Sequence, residues 1–241
     1  MKQAIGVIPA RYESQRFPGK PLAQIQGKPM IQWVYEGAKQ ASRLQNIIIA
    51  TDDDRILQTC TAFGAEVWKT SPHHHSGTDR VAEVAKAVSS PIIINIQGDE
   101  PLIQGEMLDR LVEALQDETP PMATLAVKVK DLALQSNPNI VKVVVDEEGL
   151  ALYFSRSALP FDASDYFLQH IGIYGYHRNF LLDFSKWPIS RLEKEERLEQ
   201  LRVLERGHQI KIILTPHLTL SVDTPEDIIK VEEFIMKGHH G

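Results

Sequence analysis

Three stretches of this chain are apolar without alternation: Ala4-Ile5-Gly6-Val7-Ile8-Pro9, Asn46-Ile47-Ile48-Ile49-Ala50-Thr51 and Pro91-Ile92-Ile93-Ile94-Asn95-Ile96. A strand with one wet face alternates polar and apolar residues. An unbroken apolar run of this length reads instead as a strand covered on both sides, as in a parallel sheet. Segments of helical period lie between and after the runs, at roughly residues 30–41, 54–63 and 79–88. Strands alternating with helices are the pattern of βαβ units, so the expected fold class is α/β with a doubly wound, mostly parallel sheet. With 241 residues, 43 % of them hydrophobic, the chain can bury the core such a sheet needs.

The pattern changes in the middle. Residues 140–145 form an apolar run, Asp146-Glu147-Glu148-Gly149 interrupts it, and Leu150-Ala151-Leu152-Tyr153-Phe154 follows. That is strand, turn, strand, with Gly149 suited to a positive φ angle. Further along, residues 171–176 read as a strand, 195–205 as a helix, 210–214 as a strand and 225–236 as a helix. The expected organisation is one α/β domain made of residues 1–130 and 176–237, with a β-rich insertion at 131–175 that suits a homodimer surface. Residues 238–241 (Gly-His-His-Gly) read as a cloning remnant.

Charge narrows the possible partners. Twenty-six basic and 32 acidic residues leave a net charge of −6, too acidic for nonspecific nucleic-acid binding, so an anionic ligand needs a local basic cluster. The N-terminal apolar run is too short for a signal-peptide core or a membrane span. Cys60, the single cysteine, forms no intrachain disulfide, fits a cytoplasmic protein and reads as a buried structural thiol.

The basic cluster follows the first apolar run: Pro9-Ala10-Arg11-Tyr12-Glu13-Ser14-Gln15-Arg16-Phe17-Pro18-Gly19-Lys20-Pro21. Ligands of open α/β sheets bind at the carboxyl ends of the strands. A loop there with Arg11, Arg16 and Lys20, a Ser14 hydroxyl and a glycine that lets backbone approach is suited to a polyanion; a solvated basic loop is the other reading. Neither G-x-G-x-x-G nor G-x-x-x-x-G-K-[ST] is present, which speaks against a dinucleotide site and a P-loop. Asp99, in Gln97-Gly98-Asp99-Glu100-Pro101 after the third run, puts a carboxylate at the same edge. Ala50, Thr51 and Asp52, at the end of the second run, offer hydrogen-bond acceptors at the same edge. Asp223 reads two ways, as a carboxylate of the site or as part of a helix start in which Thr224 caps and Pro225 opens the first turn. Thr78 and Asp79 likewise read as a helix start or as ligand contacts. His73-His74-His75 reads as an exposed loop, since three adjacent side chains do not converge on a metal.

The loop P-A-R-x-x-S-x-R-[FL]-P-G-K-P resembles the opening loop of the 3-deoxy-manno-octulosonate cytidylyltransferases (CMP-KDO synthetases). The resemblance continues through Ala50-Thr51-Asp52-Asp53, Ser76-Gly77-Thr78-Asp79-Arg80, Asn95-Ile96-Gln97-Gly98-Asp99-Glu100-Pro101, Leu152-Tyr153-Phe154-Ser155-Arg156, His170-Ile171-Gly172-Ile173-Tyr174, Leu198-Glu199-Gln200-Leu201-Arg202 and Val222-Asp223-Thr224-Pro225-Glu226-Asp227. It implies a nucleotide-diphospho-sugar transferase-like fold and transfer of CMP from CTP to KDO for lipopolysaccharide synthesis. It implies a Mg²⁺ shared by Asp99 and Asp223, with Lys20 as the third catalytic residue. Arg11, Ser14, Arg16, Lys20, Ala50, Thr51, Asp52, Ser76, Gly77, Thr78 and Arg80 would meet CTP. Gln97, Arg156, His170, Tyr174, Glu199 and Gln200 would meet the sugar acid, with the 131–175 insertion forming part of that pocket's wall. The segment after Pro160-Phe161-Asp162 is shorter than in some family members, which leaves 8-amino-KDO or another acid sugar open as the substrate. A different nucleotidyltransferase, or a nucleotide-binding module without turnover, are the competing expectations.

Overall fold

The first apolar run becomes β1, Ala4–Ala10, buried along nearly its whole length. The structure is a computed structural model that describes residues 3–13 and 17–237. The chain divides into two units, Lys2–Asp109 with Thr219–Gly241, and Arg110–Leu218.

In the first unit, a hairpin of β2 (Gln24–Ile25) and β3 (Lys28–Pro29) leads into helix α1 (Met30–Ala38). Its two turn residues, Gln26 and Gly27, both have positive φ, as a tight hairpin turn requires. Then follow β4 (Leu44–Thr51), α2 (Asp54–Ala62), β5 (Glu66–Lys69), α3 (Gly77–Ala87), β6 (Ile92–Asn95) and α4 (Gly105–Ala114), the last running past residue 109. The strands order as β6-β1-β4-β5, all parallel. The three expected strands are therefore neighbours in one parallel sheet, and their apolar runs are explained by cover on both faces. At Gly6 the packing is close: a Cβ there would lie 2.9 Å from Ile96 Cδ1 and 3.1 Å from Leu44 Cδ1, side-chain ends that would have to shift. Helix starts follow local chemistry. Asp53 accepts from the N–H groups of Arg55 and Ile56, and Ser76 and Asp79 form a reciprocal capping box.

The second unit holds β7 (Met122–Val129), β8 (Lys142–Val145), β9 (Ala151–Ser155) and β10 (Phe167–His177), then helices α5 (Arg178–Phe184), α6 (Arg191–Glu196) and α7 (Leu201–Glu205) and strand β11 (Ile210–Leu214). β11 runs parallel to β7, while β7–β10, β10–β8 and β8–β9 are antiparallel. The turn between β8 and β9 forms as expected: Gly149 has φ +74°, and the Asp146 carboxylate accepts from the N–H groups of Glu148 and Leu150. The expected single helix at 195–205 is instead two. Ser190 and Glu193 cap a helix that starts earlier, and Arg197, at φ +57°, ends it in the left-handed conformation. Arg202 then clamps the pair by donating to both carboxylate oxygens of Glu193 at 2.7 and 2.6 Å. Segment 131–175 lies wholly inside this unit, and β10 runs past its expected end.

The chain returns to the first unit with α8 (Pro225–Met236), bounded as expected. The Asp227 carboxylate accepts from the N–H groups of Asp223 and Thr224 and from the Thr224 hydroxyl. Burial opposes its ionisation, but Lys230 and those donors outweigh it and hold Asp227 down to about 2. Val222 is buried with Ile25, Met30, Leu102 and Val231. Burying one such side chain stabilises by roughly 1.5–3 kcal/mol, and this packing fixes the residue that follows it, Asp223.

Candidate active site

At the carboxyl ends of β1 and β6 lies a cavity of about 250 Å³, lined by Pro9, Ala10, Arg11, Lys20, Pro21, His74, Ser76, Gly77, Arg80, Gln97, Gly98, Asp99 and Asp223. All of these belong to the first unit. The basic loop closes on itself beside it: Gly19, at φ +72°, donates its N–H to the Tyr12 carbonyl at 2.8 Å and packs against the Tyr12 ring. The Arg55 guanidinium lies 3.2 Å from the centre of that ring. Gly19 is thus both a positive-φ and a close-approach position, and it starts the short 3-10 turn Lys20–Leu22 that aims Lys20 inward.

Lys20 joins the two predicted carboxylates. Its ammonium donates to Asp99 Oδ2 at 2.6 Å and to the Val222 carbonyl at 2.9 Å, and lies 3.6 Å from Asp223 Oδ1. The Val222 N–H in turn donates to the Asp99 carbonyl at 2.9 Å, so the backbone itself stitches the two aspartate segments together. Asp223 stands at a helix start and on the cavity lining at once: Thr224 and Asp227 start α8 while the Asp223 side chain faces the cavity. Two aspartate carboxylates facing one cationic point are an all-oxygen donor set. That fits a hard divalent ion such as Mg²⁺, which takes one or two carboxylates and completes its shell with phosphates and water. Glu100, which the sequence showed only as part of the turn, is buried; burial first, and then the Asp99 charge, push its carboxyl up to about 8. It therefore stays largely protonated at neutral pH and adds little negative charge beside Asp99.

On the opposite wall, Ser76 and Gly77 open α3, whose N-terminus carries a partial positive charge suited to an anion. Arg80 is buried behind them, bonded to the Thr70 hydroxyl and paired with Asp52 at 3.2 Å. Thr78 is buried within α3 and Asp79 belongs to the capping box, so the helix-start reading accounts for both. Ala50, Thr51 and Asp52 are not on the cavity lining. Ala50 and Thr51 are buried in β4, the Thr51 carbonyl accepts from Thr70 N–H, and Asp52 reaches the cavity only through Arg80. The exposed-loop expectation for residues 73–75 holds for His73 and His75 but not for His74. His74 lines the cavity because Glu83, on α3, holds its Nε2. Ser14, Arg16 and residues 238–241 lie outside the described residues.

Of the expected sugar contacts, Gln97 lines this cavity and the others belong to the second unit. There, β10 carries an irregularity between Ile171 and Tyr174. The Thr124 hydroxyl fills it, 3.1 and 2.7 Å from the carbonyls of Ile171 and Ile173 and 3.0 Å from His170 Nε2. His170 and Tyr174 are brought together with ring centres 5.5 Å apart, and the Tyr174 hydroxyl donates to Gln200 Oε1 at 3.2 Å. Burial pushes His170 down to about 3, and burial together with the Glu199 charge pushes the Tyr174 phenol upward. Glu199 pairs with Arg202 at 3.5 Å. Arg156 is held separately, donating from Nε to the Glu196 carbonyl at 3.0 Å and from Nη1 to the Pro138 carbonyl at 2.9 Å.

Among the described residues, no helix is long and apolar enough to cross a membrane. The Cytidylyltransferase family model matches residues 5–212. The chain is 52 % identical over 233 residues to the 3-deoxy-manno-octulosonate cytidylyltransferase of Syntrophobacter fumaroxidans, covering 93 % of each sequence. It is 50 % identical over 235 residues to that of Solibacter usitatus, covering 95 % of this chain and 93 % of the relative. A solved structure of CMP:2-keto-3-deoxy-manno-octonic acid synthetase complexed with CTP superposes with a TM-score of 0.93 at 42 % identity, covering 98 % of this chain and all of the other. The α/β nucleotidyltransferase fold expected from the apolar runs and the motifs is thereby borne out.

Proposed function

Because the chain belongs to the 3-deoxy-manno-octulosonate cytidylyltransferase family, we propose that it transfers CMP from CTP to the anomeric hydroxyl of KDO. The hydroxyl oxygen loses its proton to solvent and bonds to the α-phosphorus, the bond from that phosphorus to the bridging α,β-oxygen breaks, and pyrophosphate leaves in line. The observation that carries this reading is the meeting of Asp99, Asp223 and Lys20 at the strand ends.

Nucleotidyl transfer needs positioning and charge neutralisation more than covalent help from the protein. Arg11, Lys20 and the α3 N-terminus supply positive charge to the triphosphate, and Ser14 and Arg16 belong to the same loop. Lys20 holds two carboxylates close together before ligand arrives, then has phosphate oxygens as competing acceptors. Arg80, braced by Asp52, and the Ser76-Gly77 turn form the nucleoside side. Asp99 and Asp223 would hold Mg²⁺, which supplies a Lewis acid that makes the sugar hydroxyl a better nucleophile. In the second unit, His170, Tyr174, Gln200, Glu199 and Arg156 are the sugar-acid contacts; buried neutral donors and acceptors suit hydroxyls, and the guanidinium suits the carboxylate. The product serves lipopolysaccharide synthesis, and the reaction belongs in the cytoplasm.

Within 131–175, Leu152 and Phe161 are 60 % and 96 % exposed, which supports this segment as the homodimer surface; light scattering in solution tests it. The function is tested by following pyrophosphate release with CTP, Mg²⁺ and a panel of acid sugars. KDO is expected to drive release. Release with 8-amino-KDO or a neuraminate but not KDO rejects the substrate and keeps the chemistry. CTP binding without release under any acceptor rejects the enzyme reading of these residues.

A further inference from the structure

The geometry points to Lys142 as a positioning residue that aims Arg156 at the sugar acid's carboxylate. This inference rests on the reading of Arg156 proposed above. Lys142 sits on β8 with no exposed surface, although an ammonium is among the most costly groups to bury. Its three protons are matched by three backbone carbonyls, those of Asn137 at 3.0 Å, Ile140 at 2.6 Å and Arg156 at 2.5 Å. The intervening carbonyl, Pro138, accepts from the Arg156 guanidinium at 2.9 Å. The carbonyls of residues 137, 138 and 140 thus each face one of two cations.

Glu196 completes the arrangement. Its carboxylate accepts from the Ser155 hydroxyl at 2.7 Å and from Arg156 N–H at 2.9 Å, and its carbonyl accepts from Arg156 Nε at 3.0 Å. Burial first, and then the Arg156 charge, make Lys142 easier to deprotonate, while Glu196 opposes this. An apolar side chain of equal length would avoid the cost of burying a charge but would leave three carbonyls without this donor. What it cannot do is fix three backbone directions at once. Lys142 holds the 137–140 loop and the Arg156 backbone in one register, and that loop in turn holds the guanidinium. A planar donor fork recognises a carboxylate only when correctly aimed, so small misplacement costs binding and rate.

The test is steady-state kinetics of Lys142→Met with CTP, Mg²⁺ and KDO, supported by thermal melting and by calorimetric CTP binding. The expected result is a KM for KDO raised on the order of tenfold to a hundredfold. The KM for CTP should stay within about twofold, since the Lys20, Asp99 and Asp223 cluster is not touched. In an Arg156→Ala background, Lys142→Met should add little, because it acts through a side chain already removed. An unchanged KM for KDO, or full additivity with Arg156→Ala, overturns the proposal. So does a parallel loss of both KM values with the melting temperature, which marks a purely structural lysine. If Lys142→Met does not fold, Lys142→Gln, which keeps two donors, must show the same split or the proposal falls. A wild type that releases no pyrophosphate with KDO removes the functional reading itself and this inference with it; an active wild type with an indifferent variant removes only the role of Lys142.

Discussion

The two units hold their candidate residues by opposite physics. In the first, Lys20, Asp99 and Asp223 are charged, partly exposed and mutually neutralising around a cavity. In the second, His170, Tyr174 and Gln200 are held by hydrogen bonds between uncharged groups and by ring packing, with Phe154 edge-on to His170 at 5.0 Å. Burial keeps the His170 imidazole and the Tyr174 phenol uncharged across the physiological range. A charged, solvent-reached cluster can exchange partners when a polyanion arrives. A neutral, packed cluster has met its desolvation cost during folding and can discriminate by shape and hydrogen-bond direction.

The harshest way to break this comparison is Asp99→Asn. It keeps the shape and removes the charge, so kcat should fall by about a hundredfold or more while the melting temperature changes little. Rate assays with circular dichroism as the folding control measure this, and near-normal turnover would remove the electrostatic half of the contrast. A middle-sized effect is expected from His170. Its pKa drops from 6.5 in the unfolded chain to about 3 in the fold, so the unfolded state binds the proton first as pH falls. The stability linked to neutral His170 is present above about pH 6.5 and lost progressively toward pH 3. Between pH 6.5 and 5 the wild type should lose on the order of 1 to 2 kcal/mol more than His170→Asn, read from denaturant unfolding at each pH. Equal slopes would mean that this imidazole is not held neutral. The smallest effect belongs to Tyr174→Phe, which deletes one hydrogen bond to Gln200 worth about 1 kcal/mol. The KM for the sugar acid should rise about fivefold with that for CTP unchanged; a shift in both would count against Tyr174 as a contact of the sugar acid alone.

The charged half was the more legible, and the reason is chemical. Arg11, Lys20 and Asp99 follow apolar runs that can only be buried strands, and ligands meet such sheets at their carboxyl ends. Glu100 and His74 were passed over because their roles come from burial and from a partner on another element, Glu83 on α3 in the case of His74. Ala50 and Thr51 were placed at the right strand end, but their carbonyls and side chains are engaged in the sheet and the adjoining turn rather than lining the cavity. The helix expected at 195–205 broke at Arg197 because a capping box upstream and a left-handed residue outweighed the helical propensity of the charged run. β7 had gone unread, although it pairs with both β10 and β11.

The sequence alone determined what is local and repetitive. It set which runs become covered strands, where Ser76, Thr224 and Gly149 start helices or turn the chain, and which loop carries the cations, because periodicity, capping and φ preference act over a few residues. Tertiary structure alone decided which distant groups share a point in space. Asp223 meets Asp99 because Val222 is buried among Ile25, Met30, Leu102 and Val231 and bonded to the Asp99 backbone. Lys142 faces Arg156 because two antiparallel strands bring their ends together. Such meetings depend on the packing of side chains that no local pattern encodes.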